Sequence, residues 1–131
     1  MSDVNLSEFK TLYLSTAKEY IQAIHNGLEK LRTDPSNTDE IEIVHRSAHS
    51  LKSQSLVMGY ETTGKLAHAI EVIFRDLHET HGSLLENKRE SVEKGLNGLE
   101  SSINQIETTG EEQDLTDLIS LLGKESEGEV L

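Results

Sequence analysis

Apolar residues recur along the chain at spacings of three and four in five stretches, and none keeps the strict alternation of a half-buried strand. In the first stretch Leu6, Phe9, Tyr13, Ala17, Tyr20, Ile24, Leu28 and Leu31 fall on one side of a helix. Asn5, with Glu8 three residues on, reads as a capping box that opens it. The second stretch starts near Asn37, again with a glutamate three on (Glu40), and turns Ile41, Val44, Ala48, Leu51 and Ser55 inward. A third, from about Thr62 to His81, buries Leu66, Ala69, Ile70, Ile73 and Leu77. Ser83 with Glu86 caps a fourth, whose stripe is Leu85, Val92, Leu96, Leu99, Ile103 and Ile106. A short fifth, Glu112 to Leu122, shows Leu115, Leu118, Ile119 and Leu122.

The breaks between these stretches carry turn chemistry. Thr33-Asp34-Pro35-Ser36-Asn37 holds the one proline and is a loop, and Gly59, Gly82, Gly110 and Gly123 stand where helices stop. Four long amphipathic helices joined by short loops predict an all-α fold, an antiparallel up-and-down four-helix bundle with a short fifth C-terminal helix. Residues 1–123 form one domain in this reading, and 124–131, small and acidic, read as a disordered tail or the start of a linker. There is no internal repeat and no sign of a second domain.

Composition narrows the function. The 131 residues suffice for one core without staples, and the absence of cysteine excludes disulfides and thiolate-bound metals. With 12 basic and 24 acidic residues the net charge is −12, which disfavours nucleic acid and anionic membrane surfaces as partners. Met1 to Asn5 lacks the basic-then-apolar order of a signal peptide, and no segment approaches the roughly 20 apolar residues of a membrane span. A soluble, cytoplasmic protein is expected. The helices leave no evident extra apolar face, so the isolated domain is expected to be monomeric.

The candidate chemistry lies in His45-Arg46-Ser47-Ala48-His49-Ser50-Leu51-Lys52-Ser53-Gln54. His49 stands about 100° round the helix from inward-facing Ala48, at the edge of the buried stripe. Lys52 at i+3 and Ser53 at i+4 are its surface neighbours. Spacing alone leaves His49 either an ordinary surface histidine or a nucleophile whose product is an anion. The third helix adds His68 and Glu71, three residues apart on one face. His49 lies ten residues before Gly59 and His68 nine after it. Antiparallel helices turning at Gly59 therefore place the two histidines at equal height.

Ala48-His49-Ser50-Leu51-Lys52, then Gly59-Tyr60, then His68-Ala69-Ile70-Glu71, resembles the histidine phosphotransfer (HPt) domain at the N-terminus of CheA-type chemotaxis kinases. The resemblance implies that His49 is the phosphoacceptor, taking the γ-phosphoryl of ATP from a separate kinase domain and passing it to a response-regulator aspartate. It implies that Glu71 orients the imidazole through its Nδ1–H, that Lys52 is the cation near the phosphoryl group, and that His68 belongs to the same hydrogen-bonded network. The partners it implies are the ATP-binding kinase domain and response-regulator receiver domains. No cofactor is expected on this domain, and ATP with magnesium is used by the kinase.

Two residues depart from the family pattern, Ser53 and Gln54 in place of the usual glycines after the lysine. Serine at i+4 keeps His49 approachable, and Gln54 points roughly 140° away from it. The chain has no Gly-rich ATP-binding segment, so it is expected to be a piece of a larger kinase or, alternatively, a free-standing phosphorelay protein. A metal-binding bundle is the rival from another class, since His45 and His49 have a chelating i, i+4 spacing. Against it, the single His68-x-x-Glu71 reverses the Glu-x-x-His order of di-metal bundles. A purely structural or adaptor bundle is the remaining rival.

Overall fold

The computed structural model describes residues 3–127, with side chains described from residue 6 to residue 125. Five helices follow one another: α1 (Asp3–Thr33), α2 (Thr38–Val57), α3 (Glu61–Thr80), α4 (Glu86–Thr109) and α5 (Thr116–Glu127). There is no strand among the described residues. Contacts run α1 to α2, α2 to α3, α3 to α4 and α4 back to α1, closing a four-helix ring, and α5 lies on α3 and α4. No helix among the described residues is long and apolar enough to cross a membrane.

Loop chemistry fixes the order. Asn37 accepts the Glu40 backbone N–H at 3.2 Å, so α2 starts at the expected cap. At the same end of the bundle the Leu84 N–H donates to the Pro35 carbonyl at 2.8 Å, tying the α3–α4 loop to the α1–α2 loop. At the other end Gly59 takes a left-handed φ of 86°, which allows the Tyr60 N–H to close back on the Ser55 carbonyl at 2.8 Å. Tyr60 offers α3 no side-chain cap; instead Glu112 accepts the Thr62 and Thr63 N–H groups at 3.3 and 2.6 Å. The carboxylate thus meets the positive end of α3 and pins the α4–α5 link to the α2–α3 turn.

The core is formed by the expected stripes. Ile24, Leu28, Leu31, Val44, Leu51, Leu66, Ile70, Leu96 and Leu99 are all buried, each contributing roughly 1.5–3 kcal/mol. Its polar members are paired: Tyr13 OH lies 2.7 Å from Ser55 Oγ, and Thr63 Oγ1 lies 3.0 Å from Ser102 Oγ. Burial pushes the Tyr13 phenol up to about 12, the Ser55 hydrogen bond acting in the opposite sense. Its ring stacks on Tyr60 with centroids 5.4 Å apart. On the far side, α5 settles into a notch of small residues on α4. A Cβ on Gly95 would lie 2.6 Å from Leu122 Cδ1, and one on Gly98 would collide with Leu118 Cδ1.

Several sequence expectations are corrected at the helix ends. α1 begins at Asp3, so Asn5 is inside the helix rather than its cap. Leu6 and Phe9 are exposed, although both continue the apolar stripe. α1 has 31 residues and α2 has 20, so α1 is longer by about 16 Å, and its first turns lack a full set of neighbours. There Leu6, Phe9 and Leu12, with Val57 and Met58 of the α2 end, line an open apolar groove of about 650 Å³. Ser83 does not cap α4. The N-cap is Leu85, without a side-chain bond, and Leu84 rather than Leu85 is buried because the chain enters α4 extended. α3 spans Glu61–Thr80, and His81, not Gly82, takes the left-handed φ of 54° after it. Its buried face also takes in Thr63, Ala67 and Phe74, while Ala69 is half-buried, because α3 packs on three helices.

α5 differs most. It starts at Thr116 because Asp114 Oδ1 accepts the Thr116 N–H and hydroxyl at 3.0 and 2.7 Å. It runs through Gly123 to Glu127, so Lys124–Glu127, expected in the tail, are helical. Leu122 seated against Gly95 and a 2.8 Å hydrogen bond from Ser91 Oγ to Glu125 hold the helix past the glycine. The rest of that expected tail, 128–131, and Met1-Ser2 lie outside the described residues.

Candidate functional site: one carboxylate between two stripes

On α2, His45, His49 and Lys52 are spaced four and three, which aligns them along one face; on α3, His68, Glu71, Arg75 and His78 do the same at three, four and three. The antiparallel packing of α2 and α3 brings these stripes together at Glu71. Its Oε2 lies 2.5 Å from His49 Nδ1, and its Oε1 lies 3.1 Å from His68 Nδ1 and 2.9 Å from Lys52 Nζ. All four residues expected from the sequence therefore meet in one network. The carboxylate is the buried member, 10% exposed, whereas the His49 and His68 side chains are 54% and 52% exposed.

Charge decides the proton positions. Burial pushes the Glu71 carboxyl up, but the hydrogen bonds from Lys52, His49 and His68 outweigh it and hold the group down at about 2. At neutral pH Glu71 is ionised and can only accept. Each imidazole must then carry its proton on Nδ1 and donate it to the carboxylate, which leaves the lone pair of the neutral ring on Nε2. His49 is thus a half-exposed imidazole with a fixed tautomer and an open nucleophilic nitrogen.

Lys52, expected as the cation near the phosphoryl group, rests its ammonium on Glu71 in the unphosphorylated chain. Ser53, half-buried, follows one turn after His49 and sits on the rim of the apolar groove. Gln54 turns toward α1, donating to Tyr20 OH at 3.2 Å, in keeping with its expected direction away from His49. No group of three or more His, Asp or Glu side chains among the described residues is arranged to hold a metal ion.

Three further residues border the network: His45, weighed in the sequence only as a metal chelate with His49, and Arg75 and His78, which were not singled out. His45, half-buried, lies one turn before His49, and Arg75 and His78 continue the α3 stripe beyond Glu71. Burial lowers the His45 pKa, Glu71 acts to raise it, and His49, His78 and Arg75 each lower it further. The i, i+4 and i, i+7 arithmetic from Glu71 was available in the sequence and would have found Arg75 and His78.

A chain with this network is similar to known phosphotransfer proteins. It is 25% identical to the chemotaxis protein CheA of Halobacterium salinarum over 115 residues, 87% of this chain and 17% of that protein. It is 27% identical to the CheA of Listeria monocytogenes over 121 residues, 88% of this chain and 20% of that protein. The chain thus spans about a fifth of the length of these relatives. In fold it is similar to the solution structure of the histidine phosphotransfer domain of CheA, with a TM-score of 0.81 at 19% identity, covering 89% of this chain and 90% of that one. It is also similar to the phosphorylated P1 domain of CheA3, crystallised in complex with CheY6 from R. sphaeroides. There the TM-score is 0.83 at 16% identity, covering 91% of this chain and 95% of that one. The family model described as Hpt domain matches residues 8–122, so the chain belongs to the Hpt domain family.

Proposed function

We propose that this chain is the phosphocarrier of a CheA-type chemotaxis kinase, with His49 as the acceptor. Nε2 of His49 attacks the γ-phosphorus of ATP, the new N–P bond forms as the bond to the β-phosphate oxygen breaks, and ADP departs. ATP and magnesium are held by a separate kinase domain of the same or another chain. The phosphoryl group then passes to the aspartate of a response-regulator receiver domain, and the complex of the CheA3 P1 domain with CheY6 supports that kind of partner. The site of action is the cytoplasm, where ATP and receiver domains are found.

The observation that carries this reading is the His49 Nδ1–Glu71 contact, which leaves Nε2 as the sole nucleophilic nitrogen of a half-exposed ring. Glu71 positions the ring and does not touch the phosphoryl group. Lys52 neutralises Glu71 before transfer, and its flexible ammonium can swing to the phosphoryl oxygens as their charge develops. Incubation with ATP, magnesium and a CheA-type kinase core lacking its own phosphotransfer domain tests the proposal. The parent chain acquires acid-labile, base-stable label, and His49→Gln acquires none. Equal labelling of the two overturns the assignment.

A further inference from the structure

The charges around His49 are balanced before phosphorylation and unbalanced after it. Lys52 and Glu71 cancel each other at 2.9 Å. Transfer to Nε2 places a dianionic phosphoryl group beside the site and, because Nδ1 keeps its proton on Glu71, a positive charge on the ring, so about one net negative charge is added to a chain that already carries −12. Lys52 is already paired with Glu71, so a second positive group beside the ring would bind the phosphoryl oxygens more fully.

Helical side chains point back toward the N-terminus of their helix and lie over the preceding turn. The residue in the preceding turn on the His49 face is His45. Across the seam, the α3 stripe continues past Glu71 with Arg75 and His78, which run alongside this same N-terminal side of His49 because the helices are antiparallel. His45 forms no hydrogen bond or ion pair of its own among the described residues. On its own helix its charged neighbours are Glu42 and Arg46, which face each other at 3.7 Å. From α3 it is faced by Glu71, Arg75 and His78, with Arg75 Nε 3.7 Å from the Asp76 carboxylate.

We propose that His45, backed by Arg75 and His78, holds the phosphoryl group of phospho-His49 and takes up a proton when that group arrives. The inference rests on the phosphocarrier reading and deepens it, because it makes the phosphorylated state proton-linked. In the resting chain burial keeps the His45 pKa below its ordinary value, so the ring is neutral at pH 7. The dianion raises that pKa, and the ring becomes an imidazolium donating to a phosphoryl oxygen. The proton comes from solvent, and no bond other than N–H changes at His45. Between the two pKa values the phosphorylated chain binds one more proton than the resting chain, so phosphorylation is favoured as pH falls and disfavoured as pH rises through that window.

Two measurements test this on the intact chain, labelled by ATP and a CheA-type kinase core. The first follows the His45 ring by nitrogen-15 NMR through a pH titration, before and after phosphorylation. Its midpoint moves up on phosphorylation, and an unmoved midpoint overturns the proposal. The second takes the ratio of phosphoryl occupancy in the parent to that in His45→Gln at a fixed ATP to ADP ratio, from about pH 8.5 to about pH 5.5. The kinase's own pH dependence cancels in that ratio. The ratio climbs as pH falls, by up to about tenfold for a shift of one unit. A flat ratio, which a purely structural role of His45 gives, overturns the proposal. A parent chain that takes no label at all overturns the phosphocarrier reading itself, whereas a labelled parent with a flat ratio overturns only the role of His45.

Discussion

Along the α2–α3 seam the residues at the edge of the buried stripes are long and ionisable, His49, Lys52, His68 and Glu71 among them. Along the α4–α5 seam the corresponding places are taken by Ser91, Gly95, Gly98 and Ser102, all buried. Along the first seam a carboxylate serves three donors near water at Glu71, while toward the Gly59 turn the helices close until a Cβ on Gly64 would lie 2.6 Å from Leu56 Cδ2. The second carries two such glycines and no ionisable network at them, with no room for a Cβ at Gly95 or Gly98. The same helical repeat thus yields chemistry where large polar side chains border the core and close packing where small ones do. Activity and stability should accordingly separate between the two seams.

The sharpest break between the seams is at His49 and Gly98. His49→Gln abolishes labelling by the kinase core while leaving thermal unfolding almost unchanged, because the ring is half-exposed and outside the core. Gly98→Leu does the reverse. Its side chain must displace Leu118, Leu115 and Leu66, all within contact of a Cβ there, which lowers stability by about 2–3 kcal/mol in urea unfolding. The folded fraction still accepts phosphate at the parent rate; if the rate per folded molecule drops as far as the stability, the seams are not independent.

Smaller effects sharpen the picture. Glu71→Ala removes tautomer control but not the nucleophile, so single-turnover phosphorylation slows by about tenfold or more with the helical circular dichroism intact. Unchanged kinetics would remove Glu71 from its role. Because the folded Glu71 carboxyl sits at about 2, below the ordinary value of 4.5, its contribution to stability is complete above pH 4.5 and is lost as pH falls toward 2. Urea midpoints for the parent and Glu71→Gln should therefore converge as pH falls from about 4.5 toward about 2, the parent losing more. The smallest effect is expected at Phe9, exposed beyond the end of α2, where Phe9→Ser changes stability by no more than about 0.5 kcal/mol.

The helical repeat carried the bundle and most of the buried stripes of α2 and α4 because those residues alternate cleanly between core and solvent. It failed at the ends, where periodicity says nothing about what lies opposite. Leu6 and Phe9 continue the α1 stripe by spacing alone, yet their exposure depends on the length of α2. Leu84 and Leu85 differ by one residue in a stretch that is not yet helical, so no helical period could choose between them. α5 passes Gly123 because Leu122 meets Gly95 and Ser91 meets Glu125, contacts some 27 to 34 residues apart in the chain. At the site, the meeting of His49, His68 and Glu71 could be counted out from Gly59, since rise per residue is the same on both helices. The resting place of Lys52 on Glu71 could not, because a four-carbon stem reaches several partners from one backbone position.

A single carboxylate that accepts from His49, Lys52 and His68 has a consequence for how the site tolerates change. Removing Lys52 or His68 lets the remaining donors redistribute over the two oxygens, so each of these substitutions is partly compensated. Removing the acceptor strands all three donors at once. Contributions at this network are therefore not additive, and Lys52 and His68, which share Oε1, are coupled through it. A substitution at either position is buffered by the other, while one at Glu71 is buffered by nothing.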